Sequence, residues 1–185
     1  MIEVTLRDGE KKQYPKGTTL YEMAKDISDG LARACMAAKV DGVVRDLRTA
    51  PAHDCGVCFL TWDDEEGRAA YRHTAAHVLA QAVKRLYPDT CLAIGPAIEN
   101  GFYYDFDFVS PINAADLEKI EAEMRSIIKE NIEITRFTMP RSEALSWAEE
   151  QNEPYKRELI ADLPDGEEIS FYRQGDFVDL CAGPH

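Results

Sequence analysis

Apolar and polar residues alternate from Ile2 to Leu6, Asp8-Gly9 supplies a hairpin turn, and Lys11–Tyr14 predicts the returning strand. The period then changes. Leu20, Met23, Ala24 and Ile27 recur at helical spacing over Thr19–Ser28, with Thr18 or Thr19 as the cap and Asp29-Gly30 as the stop. Ala34–Val40, an Asp41-Gly42 turn, Val43–Arg45 and Gly56–Trp62 read as further strands. Two hairpin arms around one helix predict a small β-grasp, ubiquitin-like module. The run Asp63-Asp64-Glu65-Glu66-Gly67 is acidic and free of apolar residues, so the domain break is placed there: residues 1–62 form one domain and residues 63–185 a second.

The second domain opens with a helix from Tyr71 to about Leu86, in which Ala75, Val78, Leu79, Ala82, Val83 and Leu86 form one apolar stripe. His73 and His77 lie about 40° apart, one turn above each other and nearly opposite that stripe. Their neighbours on that face are Ala70, Ala80 and Lys84, and such small residues beside imidazoles predict an open groove. Tyr87-Pro88-Asp89 stops the helix, Cys91–Ile94 resumes as strand, Gly95-Pro96 bends the chain, and Glu99-Asn100-Gly101 is a turn. Phe102–Phe108 alternates at a period near two, with Tyr104 on the same face as Phe102, Phe106 and Phe108. Pro111–Asn131 predicts a helix with Leu117, Ile120, Met124, Ile127 and Ile128 on one face. Glu133–Met139 reads as strand, Ser142 caps a short helix, and Pro154 opens another that carries Lys156. Ile169–Tyr172 and Phe177–Leu180 are the last strands. The fold class is therefore α+β: a β-grasp domain, then a domain with a mainly antiparallel sheet and helices packed on it.

Charge narrows the functions. A formal net charge of −13 argues against a chain that grips nucleic acid alone, because phosphate binding needs clustered Lys and Arg. No apolar run approaches a membrane span and no signal peptide precedes Ile2, so a cytoplasmic location is expected. The five cysteines are an odd, scattered set that does not read as a disulfide framework. Cys55-Gly56-Val57-Cys58 leads into Phe59-Leu60-Thr61-Trp62, a strand rather than the helix a redox pair opens, and is read as strand without a redox or metal role.

The candidate chemistry lies in His73, His77 and the final Asp179-Leu180-Cys181-Ala182-Gly183-Pro184-His185. Strand alternation points Asp179 and Cys181 the same way. Two imidazoles, a thiol and a third imidazole converge either as a metal site or as a metal-free acid–base cluster.

Taken in order, the β-grasp module, His73-x-x-x-His77, Ile94-Gly95-Pro96, Asn100-Gly101-Phe102-Tyr103-Tyr104-Asp105 and Asp179–His185 resemble the amino-terminal half of bacterial threonyl-tRNA synthetases, across essentially the whole chain. The histidine and cysteine spacing is also similar to alanyl-tRNA synthetase editing domains and their free-standing relatives; the preceding module, of the TGS type, favours the threonyl family. The resemblance implies a proofreading site that hydrolyses seryl-tRNA(Thr). Serine lacks one methyl group relative to threonine, and a pocket built for the larger residue excludes the smaller by only about 1–3 kcal/mol. The resemblance further implies His73 and Lys156 as the groups handling water and oxyanion. His77, Cys181 and His185 would shape the pocket, and Tyr104, Asp179 and Gly95 would contact the substrate. No cofactor is implied for editing; the ATP and zinc of a complete synthetase would bind elsewhere. The implied partner is the acceptor end of tRNA(Thr), within a complete enzyme expected to be a homodimer and not membrane-bound. Such synthetases continue into further editing strands, a catalytic core and an anticodon-binding domain, so this chain is expected to be truncated and unable to ligate threonine alone. Two alternatives stand beside this: a zinc-binding hydrolase using His73, His77, Cys181 and His185, and an inert fragment with only a TGS interaction role.

Overall fold

The computed structural model describes all 185 residues, which divide into two compact units, Met1–His73 with Gly183–His185, and Thr74–Ala182.

In the first unit, strands β1 (Ile2–Leu6), β2 (Lys11–Tyr14), β3 (Ala37–Val40), β4 (Val43–Arg45) and β5 (Cys55–Leu60) form a sheet in the order β2-β1-β5-β3-β4. The β1–β5 pair is parallel and the others antiparallel, as in a β-grasp. Helix α1 (Leu20–Ile27) buries Leu20 and Met23 against Ile2, Val4 and Val57. Of the two candidate caps it is Thr19 that acts: it accepts from Glu22 N–H while the Glu22 carboxylate accepts from Thr19 N–H.

Asp29-Gly30 does not end the helical region. The Ser28 side chain accepts from Leu31 N–H at 3.0 Å and starts a second short helix, α2 (Asp29–Ala34), so the following strand begins at Ala37 rather than Ala34. One serine serves as C-cap of α1 and N-cap of α2.

Helix α3 spans Glu65–Leu86 and starts earlier than the apolar period indicates. The acidic run is its beginning. Asp64 accepts from Thr61 N–H at 2.9 Å, Glu65 and Glu66 occupy the positive first turn, and the Arg68 guanidinium donates to the Trp62 and Asp63 carbonyls. Gly67 packs so closely on the lead-in that an added Cβ would meet Thr61 O at 2.0 Å.

In the second unit, β10 (Ile134–Met139), β11 (Ile169–Gln174) and β12 (Phe177–Leu180) form an antiparallel sheet in that order. Helices α5 (Arg141–Glu150) and α6 (Pro154–Asp162) supply Ala144, Ala148 and Ile160 to its core around Ile169 and Phe171. Helix α4 (Ala114–Glu130), capped by Asn113, packs Ile120 and Ile127 with Val78, Ala82 and Val83. Leu117 and Ile128 are exposed, because a face five residues wide spreads too far round the helix to be covered whole. Ser142 is not a cap: α5 starts at Arg141, after Pro140, and Ser142 lies in its first turn, where its carbonyl accepts from Ser146 Oγ.

The expected strand Phe102–Phe108 is broken. Strands β6 (Cys91–Leu92) and β9 (Phe106–Asp107) pair, as do β7 (Ala97–Ile98) and β8 (Gly101–Phe102), leaving Tyr103-Tyr104-Asp105 outside both ribbons. The interruption frees Tyr104 to turn its hydroxyl inward, although its ring still stacks on Phe106 at 5.0 Å. No helix is long and apolar enough to cross a membrane.

Candidate functional site

Helix α3 presents His73 and His77 one turn apart, and the stripe residues Val78, Ala82 and Val83 are buried as the pattern requires. The other face is not an open groove. Ala76 and Ala80 are fully buried with Leu92 and Tyr104 against them, because alanines allow neighbours to approach the helix backbone closely. His77 is buried with them; its Nε2 stands 3.7 Å from Asp179 Oδ2, an ion contact when the imidazole is protonated but too long for a hydrogen bond. The edge of its ring meets Phe177, with centroids 6.2 Å apart.

Behind His77 lies a buried charge network. Lys156 Nζ donates to Tyr104 Oη at 3.0 Å, and Tyr104 Oη donates to Asp179 Oδ2 at 2.6 Å. Lys156 Nζ is also 2.8 Å from Asp179 Oδ1, a buried ion pair. All three side chains are buried. Burial, followed by the Asp179 charge, pushes the Tyr104 phenol far above its ordinary range, so it stays protonated and serves as the donor.

The elements explain the convergence. Pro154 starts α6 two residues before Lys156. Just before it, the buried Glu153 accepts from Lys84 Nζ and from Leu92 N–H, both at 2.7 Å, and so ties α6 to α3 and β6. Asp179 is held in the ladder opposite Tyr172. Gly95 admits the Tyr104 ring, since a Cβ there would lie 2.1 Å from Cδ2.

At the end of β12, Cys181 is clamped by Ser170: its N–H donates to Ser170 O at 3.1 Å and its carbonyl accepts from Ser170 Oγ at 2.6 Å. The rings of His185 and His73 lie with centroids 4.2 Å apart, tilted by 32°. His73 and His185 belong to the first unit, and His77 and Cys181 to the second. Three imidazoles and a thiol are a donor set that zinc accepts.

Of the residues singled out from the sequence, His73 and His185 pair in the first unit, while in the second His77 faces Asp179, Lys156, Tyr104 and Asp179 form one network, and Gly95 lies beneath the Tyr104 ring. Sequence reasoning missed Glu153 and Asp46, whose Oδ1 accepts from His185 N–H at 2.7 Å. The only signal for Glu153 was an acid ahead of a helix-opening proline. Cys55 and Cys58 are on strand β5; burial pushes the Cys55 thiol up, and the Cys35 thiol up to about 11.

The first unit is a TGS domain: the family model of that description matches residues 2–61. The relatives extend further. The chain is 63% identical over 185 residues to the threonine-tRNA ligase of Acetivibrio thermocellus, covering 100% of this chain and 29% of that protein. It is 55% identical over 182 residues to that of Caldanaerobacter subterraneus subsp. tengcongensis (98% and 28%) and 55% identical over 185 residues to that of Clostridium tetani (100% and 29%). The chain is thus homologous to the amino-terminal region of threonine-tRNA ligases, an enzyme family, and spans less than a third of the length of these relatives.

Proposed function

We propose that this chain carries the proofreading site of a threonine-tRNA ligase and hydrolyses the ester of seryl-tRNA(Thr). The observation that carries the reading is the His73–His185 imidazole pair of the first unit, with ring centroids 4.2 Å apart. Ester hydrolysis needs a water aligned and deprotonated, an oxyanion stabilised, and a proton for the departing ribose oxygen. His73 accepts the water's proton as the water oxygen bonds to the carbonyl carbon. The tetrahedral intermediate collapses, the bond from that carbon to the ribose oxygen breaks, and the same proton returns to the ribose oxygen, giving serine and free tRNA. Imidazole titrates in the range this shuttle requires. The Lys156 ammonium, buried and braced by Tyr104 and Asp179, supplies the fixed positive charge that favours the oxyanion. His77, Cys181 and His185 shape the serine pocket, and Tyr104 and Asp179 line it.

The site works without a resident metal in this reading. Three imidazoles and a thiol are also ligand types that suit zinc, which gives a second reading in which His73, His77, Cys181 and His185 would hold the ion and it would lower the pKa of a bound water. The acceptor end of tRNA(Thr) is the partner, most of its grip coming from elsewhere because this chain is strongly acidic, and the setting is the cytoplasm.

The test is His73→Ala in a full-length ligase carrying this chain. Hydrolysis of seryl-tRNA(Thr) should fall by at least about a hundredfold, with threonylation nearly unchanged. Equal loss of both activities, or loss of neither, overturns the reading.

A further inference from the structure

A carboxylate of the TGS domain, Asp46, holds the His185 backbone. Asp46 follows β4, in a loop whose backbone is fixed from several sides. Thr49 N–H donates to Asp46 O at 3.0 Å and closes a turn. Two N–H groups of the first turn of α1, Leu20 and Tyr21, donate to Thr49 O at 2.9 Å and Leu47 O at 2.7 Å. The Leu47 side chain packs with Ile2, Leu20 and Met23 on one side and with Ala24, Ala32 and Cys35 on another. A loop tied to a helix start and to two apolar clusters is a rigid support.

From that support, Asp46 Oδ1 accepts from the His185 backbone N–H at 2.7 Å, a short, charge-assisted bond in a part-buried setting. The chain arrives there after Gly183, at φ +76, a conformation that glycine adopts freely. The His185 ring then lies on the His73 ring, with centroids 4.2 Å apart.

We infer that Asp46 is a positioning residue for hydrolysis: by holding the His185 backbone, the TGS domain sets the distance between the His185 and His73 imidazoles. This rests on the hydrolytic reading above. Asp46 acts through His185. Asp46, His185 and His73 all belong to the first unit, so the TGS domain is then a working part of the catalytic apparatus.

The experiment compares Asp46→Ala, Asp46→Asn and His185→Ala in a full-length ligase carrying this chain. Asp46→Ala should lower the kcat of seryl-tRNA(Thr) hydrolysis by about tenfold to a hundredfold, the scale of a small misplacement. KM should change less than about threefold and threonylation should stay level. Asp46→Asn keeps the acceptor and should recover most of the loss. Adding Asp46→Ala to His185→Ala should have little further effect, since the two act as one unit. Additive losses, or an Asp46→Asn variant as poor as Asp46→Ala, overturn the inference. So does hydrolysis by Asp46→Ala at the wild-type rate in a ligase where His73→Ala abolishes it, a result that leaves the hydrolytic reading intact. If His73→Ala is itself silent, the hydrolytic reading has failed, and the decision on Asp46 passes to nuclear magnetic resonance of this chain. There the His185 imidazole signals should move toward random-coil values in Asp46→Ala and not in Asp46→Asn. Unmoved signals in Asp46→Ala reject the contact itself.

Discussion

Replacing Tyr104 with Phe removes one oxygen from the buried network and little else. The ring stays stacked on Phe106 at 5.0 Å and over Gly95, so the apolar packing is retained. What is lost is a hydrogen bond of 2.6 Å donated to Asp179 Oδ2 and one of 3.0 Å accepted from Lys156 Nζ. Both partners stay where they were, 1% and 3% exposed, shut off from bulk solvent. A hydrogen bond to a charged group is worth about 1.5–3 kcal/mol, and stranding the partners in the interior places the effect at the upper end, about 2–3 kcal/mol. With a urea dependence of about 1–3 kcal/mol per molar for a small domain, the midpoint should fall by about 0.7–3 M at unchanged slope. The two tryptophans make the assay selective, because Trp62 belongs to the first unit and Trp147, edge-on to Phe171 at 4.9 Å, to the second. In a Trp62→Phe background, urea unfolding followed by fluorescence therefore reports the second unit alone. A shift below about 0.3 M, or an equal shift seen by Trp62 in the converse background, would refute the claim that this hydroxyl braces Lys156 and Asp179.

Gly95→Ala should destabilise the second unit by about 1–3 kcal/mol and displace the Tyr104 ring, readable by urea unfolding and by the tyrosine ring resonances; an unshifted midpoint would show that the loop yields freely. The Tyr14 phenol is pushed up to about 12, first by burial and then by its hydrogen bond to Asp26, so the native state favours the protonated form. Its contribution is complete below the unfolded value of 10.0 and is lost as pH rises through about 12; alkaline unfolding of the first unit should be steep over that interval and flatter in Tyr14→Phe. If the metal-free proofreading reading holds, dialysis of a full-length ligase carrying this chain against a chelator should leave seryl-tRNA(Thr) hydrolysis unchanged, whereas loss restored by zinc would favour the metal reading. Binding of tRNA by this chain alone should be weak and should disappear with moderate salt in a filter-binding assay.

Periodicity located the histidines because a helix fixes the phase of residues four apart, and α3 keeps that phase over its whole length. It also located the β-grasp strands, whose alternation reflects one buried face. It failed where a single polar residue overrides the pattern. Ser28 turns an apparent stop into a second helix start, and Tyr104 breaks an alternating strand because its hydroxyl is needed inside. The open groove was a misreading of small residues, which invite close packing as readily as they leave space. Lys156 was reached only through the family resemblance, since a lysine on a short helix looks like any surface cation. Glu153 and Asp46 were invisible for a different reason. Their partners are 61 and 139 positions away, and no local pattern records such a contact.

Helix α6 is fixed in length at both ends. At its start, Glu153 grips Leu92 N–H and Lys84; at its finish, the Arg141 guanidinium collects the carbonyls of Ile160, Ala161, Leu163 and Pro164. Between those anchors one inserted or deleted residue would turn Lys156 about 100° relative to one end or the other. Either the lysine leaves Asp179 or an anchor lets go. Beyond Pro164, the chain through Glu168 is exposed and free of that constraint. Changes of length in this part of the molecule should therefore collect after Pro164 and be absent between Glu153 and Leu163, so that a gap pattern alone would show which stretch of the helix sets the position of the charge.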